Sequence, residues 1–146
     1  MQQKGFTLER VLHFRRETEK LRKLDFAAAK EDYELAEDRL RREEEAMEIL
    51  NLEFMTKQIE GISALELQLY SDFFQKKDQD ILCQREEVCT LDQTMVEKQE
   101  DLIAAATDKK MMEELKKKKN KAHEKALAEK EQGFLDEIAL RNRGLE

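Results

Sequence analysis

The sequence has no proline and no tryptophan, and only four glycines among its 146 residues. Few positions therefore force a helix to end, and residues of high helix propensity fill the long stretches between the glycines. With 6% aromatic and 42% charged residues, the chain can bury a stripe of side chains but not a thick globular core. We therefore expect one all-α unit spanning residues 1–146, elongated rather than compact.

The chain also lacks any run of about 18 apolar residues, so we expect no segment that spans a bilayer. Its first residues lack the apolar core of a secretion signal. The two cysteines, Cys83 and Cys89, lie six residues apart and face different directions on one predicted helix. That spacing suits neither a local disulfide nor a zinc site, and two free thiols indicate a reducing cytoplasm.

Recognisable catalytic chemistry is missing as well. The sequence contains no glycine-rich phosphate loop and no serine–histidine–aspartate set, and His13 and His123 lie far apart. The acidic run 43–45 lies on a predicted open helix face, which offers no pocket for acid–base chemistry. The lysines at 116–121 lack interleaved aromatic residues, which argues against nucleic-acid binding. We therefore predict a protein that is not an enzyme, with no cofactor and no metal.

One convincing helix break interrupts the pattern, at residues 61–63. Gly61 can adopt a left-handed backbone conformation, and Ser63 with Glu66 three residues later forms a capping-box sequence. We predict a first helix over about residues 7–60, with Thr7 as its N-cap, a turn at 61–63, and a second helix over about 64–142. The second helix is then the longer one.

Heptad spacing runs through both predicted helices. In the second helix nine of the twelve a and d positions are apolar. The twelve positions are Leu67, Tyr70, Phe74, Lys77, Ile81, Gln84, Val88, Leu91, Met95, Lys98, Leu102 and Ala105. In the first helix six of the eight a and d positions are apolar. The eight positions are Tyr33, Ala36, Leu40, Glu43, Met47, Leu50, Phe54 and Lys57. This pattern predicts an antiparallel coiled-coil hairpin. Facing residues have numbers that add to 124, which pairs Phe54 with Tyr70 and Leu12 with Met112.

Between Leu12 and Ala29 the apolar residues of the first helix leave this frame, at Phe14, Leu21 and Leu24. We interpret this as a stutter, a local change of phase that leaves apolar surface uncovered. Basic residues accompany these apolar ones and predict a docking face: Arg15, Arg16, Lys20, Arg22 and Lys23.

The last 25 or so residues are predicted to project beyond the first helix. They carry many lysines and an apolar group at Phe134, Leu135, Ile138 and Ala139 that has no facing helix. Net charge also varies along the chain: +4 for residues 1–30, −14 for 31–108 and +3 for 109–146. Folding at the turn brings the two basic ends together, so the hairpin is polar along its axis.

Three segments resemble the FliJ family, the small coiled-coil component of the bacterial flagellar export apparatus. The opening 6–15 is similar to that family's N-terminal pattern, and the turn followed by Tyr70, Phe73 and Phe74 is similar to its hairpin region. The C-terminal part, with Glu131, the segment 135–139 and Arg141, resembles its C-terminal signature.

The resemblance implies an antiparallel hairpin shaped like the shaft of a rotary ATPase. It implies binding to the hexameric export ATPase and its regulator, contact with the membrane protein of the export gate, and the escort of export chaperones. It also implies a cytoplasmic protein at the inner face of the cell membrane, without enzymatic activity. By carry-over, Arg15, Arg16, Lys20, Arg22 and Lys23 would contact the gate or the ATPase. Leu135, Asp136 and Glu137 match the C-terminal signature, with no partner assigned.

Two alternatives stay open at this point. One is the equivalent stalk protein of an injectisome secretion system, which would share the fold. The other is a structural dimeric coiled coil in which Gly61 and Ser63 form only a kink.

Overall fold

The computed structural model describes residues 2–144, with side chains from residue 8 onward. The chain forms two helices, α1 (Gln2–Glu60) and α2 (Ala64–Gly144). The prediction of an all-α fold with a longer second helix is confirmed. Helix α1 begins ahead of the predicted start near residue 7, and the predicted cap by Thr7 lies outside the described side chains.

The turn at residues 61–63 has the predicted chemistry. Gly61 has a φ of 109°, in the region that favours glycine, and its N–H donates to the carbonyl of Lys57 at 2.9 Å. Ser63 Oγ accepts a hydrogen bond from the N–H of Glu66 at 3.2 Å, and so caps α2. Both ends of the turn therefore satisfy backbone groups that the helices leave unpaired.

The chain divides into two units, each built from a segment of α1 and a segment of α2. Unit 2 is Leu21–Leu102, which includes the turn, and unit 1 consists of residues 2–20 with 103–144. In unit 2 every predicted seam position is buried or half-buried except Leu67, which is 43% exposed. The heptad pattern thus identified the contact stripe of this unit.

Near the turn, three aromatic rings pack against one another in the seam of unit 2. Phe54 packs against Tyr70 with ring centroids 5.0 Å apart, and against Phe74 at 5.4 Å. The numbers of Phe54 and Tyr70 add to 124, as the predicted register requires. Farther along the seam, Lys77 Nζ lies 3.2 Å from Glu43 Oε2, so two of the predicted polar seam positions form an ion pair.

Unit 1 pairs its helices around a smaller apolar centre. Leu12 is 1% exposed and Ala105 is 7% exposed. Beside them lies a buried charge: Glu19 is 5% exposed and its Oε2 lies 2.7 Å from Lys109 Nζ. A buried carboxylate of this kind needs its cation close by, because an unpaired charge away from water is costly.

The predicted stutter in α1 is wrong. Leu12, Arg15 and Glu19 are buried or half-buried in unit 1, and the same spacing of three and four resumes at Phe26 and Ala29 in unit 2. The buried residues of α1 therefore stay in one heptad frame, in which the charged residue Glu19 occupies a seam position. The expected uncovered apolar surface is confirmed, since Phe14, Leu21 and Leu24 are 63%, 61% and 67% exposed.

Candidate functional site

Two of the predicted contact residues take part in pairing the helices of unit 1. Arg15 Nη1 lies 3.4 Å from Asp108 Oδ2, and Arg16 Nε lies 3.7 Å from Glu113 Oε1. Both arginine side chains remain partly exposed, at 39% and 49%. A partner that binds these guanidinium groups must therefore compete with carboxylates of α2.

The other three basic residues are exposed on the surface of α1. Lys20 of unit 1 pairs with Glu17 at 3.2 Å, one helical turn away. In unit 2, Arg22 pairs with Asp25 at 3.5 Å, and Lys23 is exposed. Local surface pairs of this kind are weak, so these cations can exchange partners at little cost.

The described residues leave the last part of α2 in unit 1 uncovered. Every residue from 117 to 144 is exposed. We call residues 117–144 the overhang. Leu127, Phe134 and Ile138 share one face of the overhang by their spacing, and they are 48%, 64% and 40% exposed. These side chains form an apolar stripe that the described residues of unit 1 leave open.

Of the predicted C-terminal residues, Leu135 and Glu137 flank this stripe, and Asp136 lies on the opposite face by its helical spacing. Leu135 is 58% exposed and neighbours Phe134. Asp136 accepts a hydrogen bond from Gln132 Nε2 at 3.0 Å, one turn earlier, and Glu137 is exposed. The overhang thus presents an apolar stripe on a single helix, which is an arrangement suited to binding another protein.

A groove in unit 2 was not predicted from the sequence. It has a volume of about 450 Å³ and is lined by Arg39, Arg42, Glu43, Ala46, Met47, Leu50, Phe73 and Lys77. An apolar recess of about 230 Å³, formed by Leu50, Leu69, Tyr70 and Phe73, adjoins it. We call the two together the turn-proximal groove. The signal for it was the doublet Phe73–Phe74, because one ring occupies the seam while its neighbour must lie beside it.

The turn-proximal groove combines an apolar floor with a basic rim. Phe73 is 45% exposed, Leu69 is 61% exposed, and Lys77 Nζ lies 5.8 Å from the centre of the Phe73 ring. Arg39 and Arg42 line the same groove. Such a surface favours an amphipathic helix that carries acidic residues beside its apolar face.

Residues that bind metals do not gather in the described part of the chain. No group of three or more histidine, cysteine, aspartate or glutamate side chains there is placed to hold a metal ion. Neither described helix is long and apolar enough to cross a membrane.

The comparison with protein families agrees with this architecture. The family model described as "Flagellar FliJ protein" matches residues 3–144, nearly the whole chain. No curated protein and no solved structure is significantly similar to the chain. With paired helices over most of its length and a family match of the same extent, the chain belongs to the FliJ family and is a flagellar protein related to export.

Proposed function

We propose that this chain is a non-enzymatic binder and regulator of the hexameric ATPase in flagellar type III export. The observation that carries the proposal is the overhang, a helix exposed from residue 117 to 144 with an apolar stripe on one face. An isolated helix of this kind frays in water because nothing covers its apolar side. A binding site on a partner would supply that cover.

A ring ATPase is a suitable partner for a single helix with unlike faces. The stripe at Leu127, Phe134 and Ile138 occupies one side, while Leu140 points away from it by the helical spacing. Inside a ring of six subunits, the apolar face and the opposite face of such a helix contact different subunits. It can therefore favour one nucleotide state over another without performing chemistry itself.

The turn-proximal groove gives the chain a second binding surface. Its basic rim and apolar floor suit an acidic amphipathic segment of the export gate, of the ATPase regulator or of an export chaperone. With one surface for the ATPase and another for these partners, the chain links them. It then works in the cytoplasm, held at the inner face of the cell membrane only through its partners.

The test is to mix the purified chain with the cognate export ATPase and to follow oligomerisation and ATP turnover. We expect hexamer formation and faster turnover with the wild-type chain. Ile138→Ser should weaken binding by about tenfold, since it removes an apolar contact from the stripe. Leu140→Ser is the matched control, a similar change two residues further along that should leave binding within about twofold of wild type. Absence of binding by the wild-type chain would refute the proposal, and equal effects of the two variants would remove the stripe from it.

A further inference from the structure

Charge pairs join the two helices of unit 1 at closely spaced positions. Four of them connect α1 to α2 in the described part of this unit: Glu9 with Lys116, Arg15 with Asp108, Arg16 with Glu113, and Glu19 with Lys109. Four residues of α1 between positions 9 and 19, a stretch of about three helical turns, thus make charged contacts with α2. The apolar contribution is small there, with Leu12 and Ala105 as its buried residues.

An excess of basic over acidic residues in both segments makes these pairs important for the pairing of α1 with α2 in unit 1. Residues 8–20 and 103–121 together carry eleven basic and six acidic side chains. Four of the six acidic residues, Glu9, Glu19, Asp108 and Glu113, take part in the cross-helix pairs. Removing any of these four carboxylates removes an attraction and also increases the repulsion between two basic segments.

Unit 2 is held together differently. Its seam buries Ala29, Met47 and Ile81, and aromatic rings pack beside the turn. Two ion pairs also join the helices of unit 2, Glu43 with Lys77 and Glu44 with Arg85, but its apolar contacts do not depend on the charge of α1. The two units therefore have different sensitivities to charge, and cooperative units of one chain can open separately.

We propose that the four charge pairs form an electrostatic latch that opens unit 1 while unit 2 stays paired, and that an acidic protein segment opens it. Opening releases four basic residues, Arg15, Arg16, Lys109 and Lys116, from their carboxylates. The open state then presents more free cations than the closed state and binds an acidic segment more tightly. By linkage, such a segment shifts the population toward the open state.

The buried pair Glu19–Lys109 is the sharpest point at which to test the latch. Glu19→Gln removes the carboxylate and leaves Lys109 without its partner in a site where Glu19 is 5% exposed. Glu17→Gln is the matched control: it removes the same charge two residues away, from an exposed side chain that pairs with Lys20 on its own helix. Both variants change the net charge equally, so a difference between them reports the latch.

Amide hydrogen exchange of the full chain, read by mass spectrometry, resolves the two units. For Glu19→Gln we expect exchange at residues 8–19 and 103–113 to rise by at least about tenfold, while residues 43–57 and 70–84 stay unchanged. For Glu17→Gln we expect less than about a twofold change. The reversed pair, Glu19→Lys with Lys109→Glu, should restore slow exchange in unit 1. Protection in unit 2 serves throughout as the internal proof that the chain is folded.

Poly-L-glutamate serves as the acidic probe for the wild-type chain, with poly-L-lysine as its control. Poly-L-glutamate should accelerate exchange in unit 1 alone, and poly-L-lysine should not. Equal acceleration of both units would show a single folding unit and overturn the latch. Slower exchange of unit 1 with poly-L-glutamate would show binding to the closed state and overturn the role of the acidic segment. No ATPase is present in these measurements, so their outcome is independent of the proposed function.

Discussion

Phe54 of α1 and Tyr70 of α2 pack against each other, seven residues before and nine residues after Gly61. Their ring centroids are 5.0 Å apart and the rings are inclined by 42°. A tilted pair of this kind gains from ring electrostatics in addition to apolar burial. Because the pair is so close to the turn, it fixes which residues of unit 2 face each other farther along the seam.

Phe54→Ala should therefore destabilise the chain. The ring contacts both Tyr70 and Phe74, so its removal leaves a cavity in the seam as well as lost contact. We expect a loss of about 2–3 kcal/mol in the free energy of unfolding, measured by urea titration with circular dichroism. Phe14→Ala is the matched control, since the Phe14 ring is 63% exposed, and it should change stability by less than about 0.5 kcal/mol. Similar losses for the two variants would contradict this account of the ring cluster.

Ser63→Ala should weaken the start of α2. Ser63 Oγ accepts a hydrogen bond from the N–H of Glu66 at 3.2 Å, and alanine cannot replace it. We expect a cost of about 1 kcal/mol, read as a lower midpoint in thermal melts. Ser71→Ala, at an exposed position inside α2, is the comparison and should be neutral or slightly stabilising. An unchanged midpoint for Ser63→Ala would show that the cap contributes nothing.

Two glycines should respond in opposite directions to alanine. Gly61 has a φ of 109°, which an alanine side chain adopts only with strain, so Gly61→Ala should destabilise by about 1 kcal/mol or more. Gly133 lies inside α2 with open space around it, so Gly133→Ala should increase helix content in the overhang, by about 1 kcal/mol of local stability. Circular dichroism with urea titration checks both, and a stabilising Gly61→Ala would contradict the assignment of the turn.

Heptad spacing was sufficient to predict the seam of unit 2, because most of its a and d positions are apolar and the polar ones are isolated. The turn was predictable too, since Gly61 and Ser63 each have a local chemical reason to be where they are. These signals are short in range, and neither depends on the rest of the fold.

Which residues of α1 before Ala29 face α2 could not be predicted in the same way. Apolar residues at Phe14, Leu21 and Leu24 suggested a shifted frame, whereas burial follows Leu12 and the charged Glu19. Glu19 is tolerated in the seam because Lys109 from the other helix meets it at 2.7 Å. Only the paired structure reveals such compensation, and the same is true of Arg15 and Arg16, whose acidic partners lie more than 90 residues away.

The pairing of Glu19 with Lys109 also predicts a dependence of stability on pH. Its hydrogen bond to Glu19 raises the pKa of Lys109 above the ordinary value of 10.5. A raised pKa in the folded state means that the ammonium form favours folding. This contribution is complete below pH 10.5 and disappears as the pH rises through the higher pKa of the folded state.

Urea titrations at a series of pH values above 10 should therefore show a loss of stability in the wild-type chain. Lys109→Arg keeps its positive charge throughout this range, so part of that loss should disappear in this variant. Lys110→Arg alters the neighbouring, exposed lysine and should follow the wild-type curve. If the two variants lose stability in parallel with the wild-type chain, the Glu19–Lys109 pair does not contribute to folding in the way that its geometry indicates.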